Sequence, residues 1–170
     1  MLLGRDKIEF LHLPTPLEYL ENVSADLGIN VYCKRDDLTN LATGGNKLRK
    51  LEYFLKDALD NNATMLITEG GAQTNHGRLT AAVAAKYGLK CAIVTDDPYP
   101  GEISANLLLD GMLGCDVFFV SEMESGRKAV IDKYTEAGEK VYYVPMGGSN
   151  ELGMLGYMEC AIELDSQARE

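Results

Sequence analysis

From Asn46 onward, strand-like and helix-like patterns alternate, and that alternation restricts the fold more than any other feature of the chain. "NKLRKLEYFLKDALD" sets Leu48, Leu51, Phe54, Leu55, Ala58 and Leu59 at three- and four-residue steps, which predicts a helix with one apolar face. "TMLIT" is an apolar run without polar alternation, as a strand covered on both faces requires. The glycine-rich turn "EGGAQTNHG" and the Ala-rich helix "RLTAAVAAKYG" follow. The cycle then repeats through strand "KCAIVTDD", helix "EISANLLLDGMLG", strand "CDVFFV", helix "SGRKAVIDKYTEAG" and strand "KVYYVPM". After the turn "GGSN", the stretch "ELGMLGYMECAIELDSQARE" predicts a helical segment interrupted by glycines. Short joints between such elements predict an α/β fold: a parallel sheet with helices on both faces. Gly88, Gly114 and Gly138 stand where left-handed residues end helices.

Residues 46–155 read as one small α/β domain. Residues 1–45 differ: "LPTPLEYL" precedes a strand-like "NVYCKRDDL" with Val31 and Cys33 on one face, and they do not form a domain alone. Residues 156–170 continue as a charged helix. With 170 residues, 46% apolar and 25% charged, the chain can bury an ordinary core without disulfides or metals. No run of about 18 apolar residues is present, and "MLLGRDKIEF" is too short and charged for a signal peptide, so a soluble, cytoplasmic protein is expected. A net charge of -10 argues against nucleic acid as a partner, and the cluster Lys47, Arg49, Lys50 is too short to reverse that. Cys33, Cys91, Cys115 and Cys160 have no C-x-x-C spacing, and the first three, in or beside apolar runs, read as reduced core cysteines; His12 and His76 offer no paired metal-ligand spacing.

In open parallel sheets, ligands bind beyond the carboxyl ends of the strands. Two joints there are glycine-rich, "TEGGAQTNHGR" and "VPMGGSN", and "GGNK" opens a helix in the same style. Each is a candidate anion site, although a Gly-Gly pair also marks an ordinary turn. Lys47 sits in a first helical turn, where the helix dipole and the neighbours Arg49 and Lys50 disfavour its charge and make a nucleophilic amine more available. The plain alternative is a solvated lysine. "QTNH" sets Gln73, Thr74, Asn75 and His76 at a helix start, which reads either as a carboxylate cradle or as simple N-capping by Thr74 or Asn75. His76 taken alone reads as a helix-surface residue.

"PTPL", "KRDDLTNLATGGNKLRKLEY", "EGGAQTNHGRLTAAVAAKYGLKC" and "PMGGSNELGMLGYMECAIEL" resemble, in order and spacing, the D-cysteine desulfhydrase and 1-aminocyclopropane-1-carboxylate deaminase family. These are pyridoxal phosphate enzymes of the tryptophan synthase β fold type. The resemblance implies that Lys47 holds pyridoxal 5′-phosphate as a Schiff base and later serves as base at the substrate Cα. It places Asn46 and Asn75 beside the cofactor and makes Gln73, Thr74, Asn75 and His76 the substrate-carboxylate site. Thr74 stands where the family usually has Ser, and "TNHGR" is closer to the desulfhydrase branch, since deaminases more often carry Gln at the position of His76. The implied reaction converts a small amino acid such as D-cysteine to pyruvate, sulfide and ammonia; the deaminase alternative opens a cyclopropane ring.

Members of this family are about twice as long, and their second half carries the phosphate-gripping loop. The resemblance therefore makes residues 1–45 the N-terminal part of a larger cofactor domain and residues 156–170 a helix leading back to it. It implies a missing C-terminal half, in cis or as a partner chain, in an enzyme expected to be a homodimer. It also implies weak pyridoxal phosphate binding by these residues alone and an exposed apolar face. A non-catalytic α/β module for small anions or nucleotides is the reading from another class, with Asp96 and Asp97 after a strand as its faint support.

Overall fold

The computed structural model describes residues 4–169. Its centre is a four-stranded parallel sheet of β3 (Met65–Glu69), β4 (Lys90–Thr95), β5 (Cys115–Phe119) and β6 (Val141–Val144). The order is β5-β4-β3-β6, with Ile67 opposite both Ala92 and Tyr143. Every residue of β3 is buried, as its unbroken apolar run requires.

Alternate side chains along β3 feed two cores. Leu66 joins Ala81 and Ala84 of α3 (Asn75–Lys86) and Ala58 of α2 (Leu48–Asp60). Met65 and Ile67 join Val130 of α5 (Met123–Glu136) on the other face. The chain steps β3, β4, β5 in one direction with α3 and α4 (Ala105–Met112) on one face, then returns to β6 with α5 on the opposite face. Reversing direction across the sheet while keeping right-handed crossovers demands that change of face. Gly88, Gly114 and Gly138 adopt φ of 72°, 73° and 90°, as helix-ending glycines do.

Two elements differ from their sequence patterns. The last helix, α6 (Glu151–Gln167), is continuous rather than interrupted, because Gly153 and Gly156 are contact points. A Cβ at Gly156 would collide with the Arg49 carbonyl of α2, and one at Gly153 with the Gly148 carbonyl. The strand expected over "NVYCKRDDL" shrinks to β2 (Tyr32–Lys34), paired antiparallel with β1 (Leu17–Tyr19) across α1 (Glu21–Leu27). Asp36–Leu38 turns instead into a short 3-10 helix, which buries the Asp36 carboxylate against Arg49 at 2.8 Å. That contact belongs to an ionic knot. Arg49 also reaches Glu163 of α6 at 2.9 Å, and Lys34 pairs with the same Glu163, so residues 4–45 are fastened to α2 and α6. No helix among the described residues is long and apolar enough to cross a membrane.

Candidate active site

The two glycines before Lys47 are required by the turn they form. Gly44 and Gly45 have φ of 73° and 146°, and a Cβ on Gly45 would lie 2.7 Å from Leu79 Cδ1. Ala42 and Thr43 are also left-handed, at 45° and 63°, so four consecutive residues hold a backbone that side chains disfavour. Buried partners impose it. Thr39 Oγ1 accepts the Gly45 N–H at 2.8 Å, and Arg78 donates to the carbonyls of Ala42 and Gly44 and to Thr43 Oγ1. The Gly45 carbonyl then accepts the Leu48 N–H, and α2 starts with Lys47 directly before it.

Helical geometry sorts the three cations. Arg49, two residues on, faces away from Lys47; it is only 2% exposed and neutralised by Asp36 and Glu163. The expectation that Arg49 adds to the field at Lys47 is therefore corrected. Lys50, three residues on, shares the face of Lys47; burial and then the Lys47 charge lower its pKa. Lys50 donates to the Gly147 carbonyl at 3.0 Å and lies over the Tyr157 ring. Lys47 Nζ makes one polar contact among the described residues, 3.4 Å to Asn46 Oδ1, and Asn46 donates in turn to the Tyr157 hydroxyl.

The turn after β6 lies against Lys47, and the start of α3 is near enough for the Lys47 charge to act on His76. Thr74 caps α3 by accepting the Gly77 N–H at 3.3 Å, leaving its hydroxyl proton free to donate. The backbone N–H groups of Asn75 and His76 find no acceptor among the described residues, as the first turn of a helix predicts. Gly77 makes room for the Thr74 methyl, with which a Cβ would collide. The turn Met146–Gly148 brings Gly147 alongside Lys47: a Cβ there would lie 3.7 Å from Lys47 Cε.

The four side chains of "QTNH" do not share one direction. Gln73 donates to the Ser104 carbonyl at 3.2 Å and accepts the Asn106 N–H at 2.9 Å, so its amide is committed to the start of α4. His76 is 3% exposed, which corrects its reading as a helix-surface residue; its Cε1 faces Gly148, and neither ring nitrogen has a hydrogen-bond partner among the described residues. Burial, then the Lys47 and Lys50 charges, push its pKa down to about 4; the Pro145 carbonyl opposes this without bonding the ring in good geometry. Asn75 is exposed, and its Oδ1 accepts from Arg78 at 3.4 Å and from Asn106 at 3.1 Å.

Sequence reading missed Arg78, Asn106 and Tyr157. Arg78 carried a signal: it is one helical turn after Asn75, and no salt-bridge partner follows it on the largely small-residue helix "RLTAAVAAK". Asn106 and Tyr157 carried none, since only the folded chain brings them to Asn75 and Asn46.

A primary amine without an ion-pair partner among the described residues, the Asn75 amide Nδ2 and three hydrogen-bond donors at a helix start make a set that suits a carbonyl compound bearing a carboxylate. It fits the aldehyde end of pyridoxal phosphate and an amino acid together. Comparison with known proteins gives the same direction. The family model described as "Pyridoxal-phosphate dependent enzyme" matches residues 8–170. The chain is 42% identical to the D-cysteine desulfhydrase of Salmonella typhimurium over 173 residues, covering 96% of the chain and 52% of that relative. A solved structure of an ACC deaminase homologue superposes with a TM-score of 0.90 at 36% identity, over 98% of this chain and 52% of that one. A solved threonine deaminase from T.th. shares the fold, with a TM-score of 0.67, 22% identity and coverage of 94% and 45%. The chain thus spans about half the length of the curated relatives it matches. With the lysine-bearing turn, the donor-rich helix start and a family match over residues 8–170, this chain belongs to the pyridoxal-phosphate dependent enzyme family.

Proposed function

We propose that this chain carries the lysine-bearing part of a lyase that acts on a small amino acid, with D-cysteine desulfhydration to pyruvate, sulfide and ammonia as its reaction. The observation that carries the proposal is the Lys47 amine, without an ion-pair partner among the described residues, near the free donors at the start of α3. Lys47 would hold pyridoxal 5′-phosphate covalently, with Asn46 and Asn75 beside it. When bound, that group supplies an electron sink for the substrate Cα–H bond. Lys47 Nζ then takes the Cα proton as base. The Thr74 hydroxyl and the N–H groups of Asn75 and His76 receive the substrate carboxylate, where the positive end of the helix dipole favours it. Gln73 serves this site by fixing the helix start. His76, held neutral, closes the wall behind it and keeps water out.

A second reading, opening of 1-aminocyclopropane-1-carboxylate to a 2-oxoacid and ammonia, is favoured by the match to the ACC deaminase homologue. Desulfhydration ranks first because of the 42% identity to a desulfhydrase and the histidine at position 76. The nucleotide-module alternative gives way to the family match. Residues 46–155 would form the smaller domain and 1–45 would pack with a larger cofactor domain, completed by a C-terminal half in cis or from a partner chain, in a homodimer.

The deciding assay measures sulfide and 2-oxoacid released from D-cysteine, and 2-oxoacid and ammonia from the cyclopropane, with the C-terminal half present. Sulfide release should fall on the order of 10³-fold or more in Lys47→Ala, in which both cofactor attachment and base are lost. Turnover of only the cyclopropane would select the deaminase, and undiminished turnover by Lys47→Ala would refute both.

A further inference from the structure

We propose that Asn106, at the start of α4, is a positioning residue that aims the Asn75 side chain into the Lys47 site. Three hydrogen bonds tie this half-buried asparagine to Gln73 and Asn75. The Asn106 Nδ2 donates to the Gln73 carbonyl at 2.8 Å and to Asn75 Oδ1 at 3.1 Å, while its backbone N–H donates to Gln73 Oε1 at 2.9 Å. Gln73 answers by donating to the Ser104 carbonyl. The residue between these contacts, Ala105, has φ of 48°, a left-handed conformation that costs a non-glycine residue on the order of 1 kcal/mol. Such a conformation persists where its surroundings enforce it, and here Gln73 grips the backbone on both sides of it.

The consequence falls on Asn75. Arg78 can only donate, so the Asn75 atom facing it must be the oxygen, and Asn106 approaches that same oxygen with a second donor. With Oδ1 doubly engaged, the Asn75 amide is locked in one of its two orientations. Its Nδ2 finds no acceptor among the described residues and is left as a donor for a ligand oxygen. Asn106 therefore selects what Asn75 offers the site, a donor instead of an acceptor, without touching the ligand. The inference rests on the reading above, in which Asn75 lies beside the cofactor.

The test compares Asn106→Asp and Asn106→Ala with the parent holoenzyme. Asp keeps the volume of Asn but sets a carboxylate against Asn75 Oδ1, so that oxygen loses one of its two donors and the Asn75 side chain should be pushed off its present orientation, with Arg78 as its one remaining donor. The expected results are pyridoxal 5′-phosphate binding weakened about three- to ten-fold, the worth of one hydrogen bond, and a displaced pH midpoint of the cofactor's visible absorption. In the cofactor-free protein, the Asn75 side-chain amide resonances should move, with the thermal transition retained. If Asn106→Asp does not fold, Asn106→Ala and the double variant Asn75→Ala/Asn106→Ala carry the same question. The double variant should bind no more weakly than Asn75→Ala alone. Unmoved Asn75 resonances and unchanged cofactor binding in the Asn106 variants, or additive losses in the double variant, would overturn the proposal. Should Lys47→Ala retain the parent's visible absorption, the reading of the Lys47 site fails instead, and the two failures are told apart.

Discussion

His76 shows how one side chain can matter to both stability and chemistry. Its ring is 3% exposed, without a hydrogen-bond partner among the described residues and close to the Lys47 and Lys50 charges, and its pKa falls from 6.5 to about 4. The folded protein thus keeps this ring neutral while the unfolded chain takes up a proton below pH 6.5. Stability is lost as pH falls from about 6.5 towards 4, by up to about 3 kcal/mol at 1.36 kcal/mol per unit. His76→Gln removes that dependence. Urea unfolding at pH 4.5 and 7.5 should show a smaller difference in the variant than in the parent, and equal differences would mean the ring is not desolvated as described. The same substitution installs the residue that the deaminase branch more often carries, so its substrate profile bears on the choice between the two reactions.

At the scale of elements, glycine has two opposite uses. Gly44 and Gly45 make a bend that side chains cannot follow, whereas Gly153 and Gly156 lie within α6 and let it approach α2 and the turn after β6. Gly156→Ala poses a contest of magnitudes. Helix propensity favours Ala by about 1 kcal/mol, but the new Cβ would meet the Arg49 carbonyl and sit 2.8 Å from the Lys50 nitrogen. Overpacking of that kind costs roughly 1–3 kcal/mol, so a lower midpoint of thermal unfolding is expected, and a raised midpoint would contradict the close packing. These glycines also mark what the sequence can disclose. Strand and helix order was legible, because buried strands and amphipathic helices write their period into neighbouring residues. The continuity of α6 was not, since a packing glycine and a helix-breaking glycine look alike in one dimension. Nor was the 3-10 turn at Asp36, which depends on Arg49 arriving from another element. In the site, Lys47, Asn75 and Thr74 stood out through their setting, while Asn106 and Tyr157 come together with them only on folding.

For the whole molecule, a buried ionic knot and an open apolar face define the two sides of α6. Towards the interior, Glu163 accepts from Arg49 and Lys34; against the cost of burial, these bonds hold its pKa down to about 2. Away from it, Met154, Tyr157, Met158 and Ile162 are 60%, 37%, 38% and 60% exposed along one stripe, the apolar face anticipated for a chain about half as long as its relatives. Tyr157 lies in that stripe and also reaches Asn46, so whatever covers the stripe abuts the Lys47 site. The most direct test of the account is chemical trapping. The protein, with the C-terminal half present, is incubated with pyridoxal 5′-phosphate, reduced with borohydride, digested and mapped by mass spectrometry. A phosphopyridoxyl group should appear on Lys47 ahead of every other lysine; label spread over surface lysines with Lys47 unmodified would contradict the assignment of Lys47.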